Sequence, residues 1–233
     1  NPLGGIKGML QLLERDLKDS GMETEPAKMM FSEIERIERL LKQLLMHSHP
    51  MPIKSQSFNL HELLDTVLSF ERSSHPGLRF TAYYDASLPD IEADRDKLHQ
   101  VFLNLVRNAS EACPADGRVR VLTRHCAHWE LAGTNLDPTR RYILVSIEDE
   151  GPGIPEELRK NIFKPLFSTK KQGTGLGLSI SFRLVESHGG QLRYQPSERS
   201  GACFQVILPE SQSEFLEENS PNFVYQDLRK EIS

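Results

Sequence analysis

Cysteine is scarce in this 233-residue chain. Cys113, Cys126 and Cys203 are odd in number and widely spaced. They fit reduced thiols in a cytosolic setting better than a disulfide framework. Long apolar runs are missing too. None approaches the ~18 residues that would read as a membrane-spanning helix, and no charged-then-apolar segment opens the chain. Positive charge is not in excess, with 28 Lys and Arg against 33 Asp and Glu, a net charge of −5. A sequence pI near 5.9 argues against a dedicated nucleic-acid surface. Neither an internal repeat nor a low-complexity tract is present. What remains is an ordinary globular composition, 38% hydrophobic with a mean hydropathy of −0.45, enough for a core and for one or two domains. The chain begins with Asn and opens inside an apolar pattern, so it reads as a piece of something longer.

Residues 1–46 read as two amphipathic helices. Leu3, Ile6, Leu10, Leu13 and Leu17 step by three and four, as do Met30, Ile34, Ile37, Leu41 and Leu44. This is a heptad seam. Ser20-Gly21 suits the end of the first helix and Pro26 the start of the second. One seam per helix leaves apolar faces to cover. A second chain would complete a four-helix bundle; packing on the chain's own second domain is the alternative. His47-Ser-His-Pro-Met-Pro52 reads as a linker, and two histidines alone make a poor metal site.

From Ser57 onward, strand and helix patterns mix. Asn59 and Glu62 form the pattern of a capping box before Leu63, Leu64, Val67 and Leu68. Leu78–Tyr84 alternates like a strand. Asp94 caps a helix with Leu98, Val101, Phe102, Leu105 and Val106 on its apolar face. Strand-like runs follow at Arg118–Arg124 and Tyr142–Glu148, separated by a polar excursion over 125–141. In that excursion Trp129 is expected to be a packing anchor. His125-Cys126-Ala-His128 offers three metal-capable side chains without a fourth in reach. A Gly- and Pro-rich loop runs from Gly151 to Gly175, then a helix from about Leu176 to Ser187. Gln191–Tyr194 and Cys203–Leu208 close the sheet. His188, at a helix C-terminus, suggests a charge–dipole role. Without βαβ regularity the expected class is α+β: one mixed, mainly antiparallel sheet with helices on one face.

Three segments carry chemistry. Asn104 and Asn108 are four apart and share a helix face that interrupts an apolar run; a carboxamide oxygen is a hard ligand suited to Mg²⁺. Asp149-Glu-Gly151-Pro-Gly153 closes a strand with a carboxylate able to accept from an exocyclic amine such as adenine's, and its glycines permit close backbone approach. Gly173-Thr174-Gly175-Leu176-Gly177 leads into a helix whose N-terminal amides and dipole suit an anion. It lacks the Gly-Lys-Ser/Thr of a Walker A loop.

In this order the segments resemble the N, G1 and G2 boxes of sensor histidine kinases of two-component systems. Ile162-Phe163-Lys-Pro-Leu-Phe167-Ser-Thr resembles their F box, and Asn1-Pro-Leu-Gly-Gly-Ile6 the downstream part of the H box. Gly4-Gly5-Ile6 and Gln11-Leu-Leu-Glu-Arg15 are most similar to the nitrogen-regulation-type, NtrB-like subgroup. The likeness covers residues 1–209 and implies a Bergerat-type (GHKL) ATP-binding fold, shared with gyrase, the Hsp90 chaperone and MutL, preceded by a two-helix dimerisation hairpin. The implied domains are a partial dimerisation and histidine-phosphotransfer hairpin at 1–50, a linker at 51–56, a catalytic ATP-binding domain at 57–209 and a tail at 210–233. The implied cofactors are ATP and Mg²⁺, with Asn108 as the metal ligand. Asp149 becomes the adenine partner, Gly151 and Gly153 shape its turn, and Gly173, Thr174, Gly175, Leu176 and Gly177 line the phosphates. Lys170 reaches the γ-phosphate. Residues 155–174 correspond to a mobile lid anchored by Phe163 and Phe167. Implied partners are a second copy through residues 1–46 and a response-regulator receiver domain, with no nucleic acid and no membrane span, in the cytoplasm.

The departures are specific. By this likeness the phospho-accepting His lies four residues before Asn1. Pro2, if inside a helix, loosens the turn where that His would stand. Glu111 replaces a basic residue found in many relatives, and Gly201-Ala-Cys-Phe204 lacks a threonine. Related ATPases carry a water-activating glutamate where Asn104 stands, and an amide cannot serve as that base. The leading expectation is therefore an ATP-dependent protein-histidine kinase core. The alternatives are a nucleotide-gated dimeric scaffold without transfer and, more weakly, a chaperone- or repair-type ATPase.

Overall fold

The computed structural model describes residues 52–170, 174–197 and 201–211, together with a few positions in the first thirty. The chain divides into two compact units, Asn1–Pro50 and Met51–Ser233. In the first, Met9, Leu17, Lys18, Glu25, Pro26, Met29 and Met30 are helical. The expected seam otherwise lies outside the described residues, as do the tail beyond residue 211 and the linker histidines.

The second unit opens with a short strand β1 (Gln56–Phe58), which pairs antiparallel with β3 (Ile91–Ala93). Helix α1 (Leu60–Ser74) starts where Asn59 Oδ1 accepts from the backbone amides of His61 and Glu62 at 3.0 and 3.3 Å. Such a cap contributes about 1 kcal/mol. Its stripe of Leu63, Leu64, Val67 and Leu68 is fully buried. Strand β2 (Arg79–Tyr83) precedes β3. Helix α2 (Arg95–Ala112) follows, with Asp94 Oδ1 accepting from Lys97 N at 3.1 Å. Leu98, Val101, Phe102, Leu105 and Val106, spaced by three and four, lie wholly out of water.

Strands β4 (Arg118–His125) and β5 (Tyr142–Asp149) come next. After them come a one-turn helix α3 (Glu156–Arg159), helix α4 (Gly177–Ser187), β6 (Gln191–Pro196) and β7 (Ala202–Pro209). The main sheet runs β2-β4-β5-β7-β6, antiparallel throughout except that β2 and β4 are parallel. The sheet is mixed and mainly antiparallel, as the α+β reading expects. Val119, Val121, Ile143, Val145, Ile147, Val206 and Leu208 are buried and alternate along their strands. Alternation sends them to one face, where α1, α2 and α4 supply the other half of the core.

The opposite sheet face is covered at one end by the excursion after β4. There Leu131 packs with Tyr142, Leu144 and Ile207. Glu130 is nearly buried and accepts from Arg124 Nη2 at 2.7 Å, while its backbone carbonyl accepts from Arg193 Nη1 at 3.0 Å. The Arg124 hydrogen bonds hold the Glu130 carboxyl below its ordinary pKa, against its burial. Trp129 is not the anchor that the sequence suggested. It is 76% exposed, and Leu131 and Glu130 fasten the segment instead. The reason is the single 3₁₀ turn over His128–Leu131, which sends Leu131 inward and its neighbour Trp129 out.

His188 also differs from expectation. It is fully buried, its Nδ1 bonds to Leu184 O at 2.6 Å, and its Nε2 accepts from the Asp94 backbone amide at 3.1 Å. A ring nitrogen that accepts carries no proton, and burial lowers the ring's pKa, so the side chain is a neutral strut rather than a cation on the helix dipole.

Candidate functional site

Strand β5 ends on Asp149, and β7 begins at Ala202 beside it. The Asp149 side chain is 2% exposed. Its Oδ1 accepts from Gly151 N at 2.9 Å and from Ala202 N at 3.1 Å. No described residue donates to Oδ2. Two fixed amides thus orient the carboxyl and leave one oxygen for a donor from outside. Burial raises its pKa, and the two amide bonds and the field of Lys170 pull the other way.

Gly201 makes this possible, and the sequence did not flag it as a site residue. Its φ is 88°, a left-handed backbone that favours glycine, and a β-carbon there would stand 2.7 Å from Asp149 Oδ1. Gly151 packs against Ala112 O, so the turn after β5 meets the end of α2. Gly153 lies two residues further, against the Gly201 carbonyl.

Asn104 and Asn108 rise from the face of α2 turned toward this turn and toward α4. Asn104 Nδ2 donates to Ser181 Oγ at 3.0 Å. Its Oδ1 lies directly against Gly177, where any β-carbon would collide with the amide. The first glycine of α4 is therefore a matter of space, and Ser181 lies four residues on, on the same helix face. That Gly177 and Ser181 share a face was open to that spacing argument; their meeting with Asn104, 77 residues away in sequence, was not. Asn104 acts as a strut that sets α4 against α2.

Helix α4 starts at Gly177 with Leu176 as N-cap and no side-chain cap. Such an end presents unsatisfied amides and the positive end of the dipole, a natural anion seat. Leu176 itself is buried, and its amide donates to Thr174 Oγ1 at 3.4 Å. Gly175 packs on the backbone of Leu166 and Phe167. That contact ties the glycine loop to the preceding segment. Gly173 lies outside the described residues.

That preceding segment is fixed at its near end. Phe163 packs against Phe182 of α4 and edge-on to Phe204 of β7, with centroids 5.3 and 6.5 Å away. Arg159 lies over Tyr194, whose hydroxyl accepts from Ile154 N. Phe163 is thus an anchor to the core; Phe167 makes no ring contact among the described residues. Further on, Lys170 Nζ lies 3.4 Å from Asn108 Oδ1 and pairs with Glu111 Oε2. Asn108 Oδ1 therefore already faces a cation. A neutral hard oxygen in that role fits Mg²⁺ chemistry.

A buried carboxylate, two amides on one helix face and an uncapped helix start are gathered along the C-terminal half of α2. Residues 93–212, more than half of the chain, match the histidine kinase-, DNA gyrase B- and HSP90-like ATPases. The chain belongs to that ATPase family. Among its relatives is the sensory histidine kinase/phosphatase NtrB of Azospirillum brasilense, 36% identical over 212 residues, which are 90% of this chain and 52% of that protein. NtrB of Salmonella typhimurium is 35% identical over 90% of this chain and 58% of its own length. The chain spans just over half the length of these curated relatives. The catalytic domain of histidine kinase ThkA superposes with a TM-score of 0.59 at 32% identity, covering 69% of this chain and 98% of that one. ThkA in complex with the response regulator TrrA gives 0.62 at 29% identity, covering 91% and 59%. The family match includes β5, α4 and the glycine loop, and so every cleft residue named above. No helix among the described residues is long and apolar enough to cross a membrane.

Proposed function

We propose that this ATPase-family chain is the kinase core of an NtrB-like sensor histidine kinase. It binds Mg·ATP in the cleft between α2, α4 and the end of β5 and passes the γ-phosphoryl group to a histidine on a dimerisation helix. The imidazole then hands the group to an aspartate of a response-regulator receiver domain. The Asn1–Ile6 likeness to an H box puts that histidine four residues before Asn1. The same reading divides the chain into a hairpin at 1–50, a linker at 51–56, an ATP-binding domain at 57–209 and a tail at 210–233. It makes residues 1–46 the homodimer contact and places the protein in the cytoplasm.

The orientation of Asp149 carries the proposal. With Oδ1 held by Gly151 N and Ala202 N, Oδ2 is left to accept from the exocyclic amine of adenine. The uncapped start of α4, at Gly177, receives phosphate oxygens on its amides. Thr174, Gly175 and Leu176 shape that approach. Asn108 Oδ1 holds Mg²⁺, which when bound neutralises charge on the terminal phosphates. Lys170, just before the glycine loop, turns to the γ-phosphate. Asn104 gives its amide hydrogen to Ser181 and has no basic lone pair to take a proton from water. That favours transfer over steady hydrolysis.

The test uses a chain extended upstream to include the acceptor histidine. Supplied with γ-labelled ATP and Mg²⁺, it should gain acid-labile, base-stable phosphate, and Asn108→Ala should reduce that label at least tenfold. Tight ATP binding without any label would instead favour the nucleotide-gated scaffold. Continuous phosphate release without label would favour an ATPase.

A further inference from the structure

Glu111 occupies an electrostatically awkward place. It sits in the last turn of α2, where the helix carries no basic residue. A carboxylate there faces the negative end of the helix dipole. Asp149 and Glu150 add negative charge near the same helix end, since Gly151 packs on Ala112 O. Arg120 offsets Glu150, its Nη1 lying 3.1 Å from Glu150 Oε1. Among the described residues the only cation in ion-pair contact with Glu111 is Lys170; Arg107, four residues before it, pairs with Glu71 instead.

Asn108 and Glu111 are three residues apart on α2, which puts both side chains on one face. Lys170 Nζ contacts Asn108 Oδ1 and Glu111 Oε2 together. Both oxygens therefore reach a single cation position. One is a neutral amide oxygen and the other a carboxylate, the hard pair that Mg²⁺ takes along with phosphate oxygens and water.

We propose that Glu111 is a positioning residue for the divalent cation of the bound nucleotide, acting beside Asn108 directly or through a bound water. The inference rests on the reading of this cleft as a Mg·nucleotide site. Lys170 marks the position, and the arriving divalent ion displaces its ammonium toward the phosphates. The acidic residue at 111 thus does more than remove a phosphate contact: it exchanges a direct cation–phosphate bond for control of the metal.

The experiment is calorimetric titration of the intact chain with ADP, once with Mg²⁺ and once with EDTA. The ratio of the two affinities reads the metal's contribution without any turnover. Glu111→Gln should lower that ratio about tenfold, the usual scale for a group that orients a metal site. Affinity in EDTA should stay level or rise, and Glu111→Asp should recover most of the ratio. Mn²⁺ binding to the ADP complex, followed by electron paramagnetic resonance, should weaken in parallel. Glu111 is well exposed, so thermal melting of the variants should match the parent. An unchanged ratio in Glu111→Gln overturns the inference, as does equal loss of ADP affinity with and without metal. A parent chain that binds ADP under neither condition instead overturns the nucleotide reading itself.

Discussion

Asp149 combines two demands that usually conflict. Its carboxyl is buried, which costs stability, yet in the proposed role it must stay an acceptor for an exocyclic amine. The sign of its shift makes this testable. With its folded pKa raised, the ionised group costs stability that is fully present above the folded value and vanishes below the unfolded value of about 4. Asp149→Asn keeps an Oδ1 for the amides of Gly151 and Ala202 and removes the buried charge. It also replaces the free acceptor with a donor. The variant should be at least as stable as the parent at pH 7 in denaturant melts, with the difference shrinking toward pH 4. ADP affinity should fall about ten- to a hundredfold, the scale of a lost charge-assisted hydrogen bond. A variant that loses stability and binding together would make Asp149 a structural residue.

Between elements, the pivotal joint is where the C-terminus of α4 meets the N-terminus of α2. His188 accepts from the Asp94 amide while the Asp94 carboxylate accepts from Lys54 N at 3.0 Å and from Lys97 N at 3.1 Å. Lys97 also bonds to Pro52 O. Both helices of the cleft and the entering chain are thus fixed at one point, remote from the glycine loop. Protonation of His188 would remove the acceptor. Its folded pKa is lowered by burial, so stability is whole above about 6.5 and is lost as pH falls toward the folded value. Asp94 and Lys97 are the charged groups that act on the ring, in opposite directions. In melts between pH 7.5 and 5.5 the parent should lose stability more steeply than His188→Gln; identical slopes would remove His188 from the joint. This joint was illegible in the sequence because its partners lie 94 residues apart. By contrast, α2 was legible throughout, since its cap, its three-and-four spacing and its two asparagines are local signals. Sheet order and the role of Gly201 were not, because register is set across strands that no local pattern links. Trp129 misled for a related reason: an aromatic ring suggests burial, but a single turn of backbone decides which way it points.

The whole molecule comprises an ATPase-family domain of described geometry and a helical seam known by its spacing alone. That seam gives its own expectation. Leu41→Asp, like Leu10→Asp, should convert the proposed homodimer to monomers in light scattering, because each puts a charge on an apolar heptad stripe; an unaltered dimer would refute the bundle. The sheet's other face provides an internal control for the site. It carries a polar hollow lined by Tyr83, Arg120, Glu148, Gln195, Cys203 and Gln205. Strand alternation places that hollow away from Asp149 and the start of α4. Nucleotide is proposed to bind on the helix side of the sheet, between α2, α4 and the end of β5. The direct measurement is a titration of ¹⁵N-labelled chain with Mg·ADP, followed by amide shifts. The largest changes should fall on Gly151, Ala202, Gly177, Leu178 and the side-chain amides of Asn104 and Asn108. Changes confined to Tyr83, Gln195 and Gln205, with those cleft amides unmoved, would contradict the account.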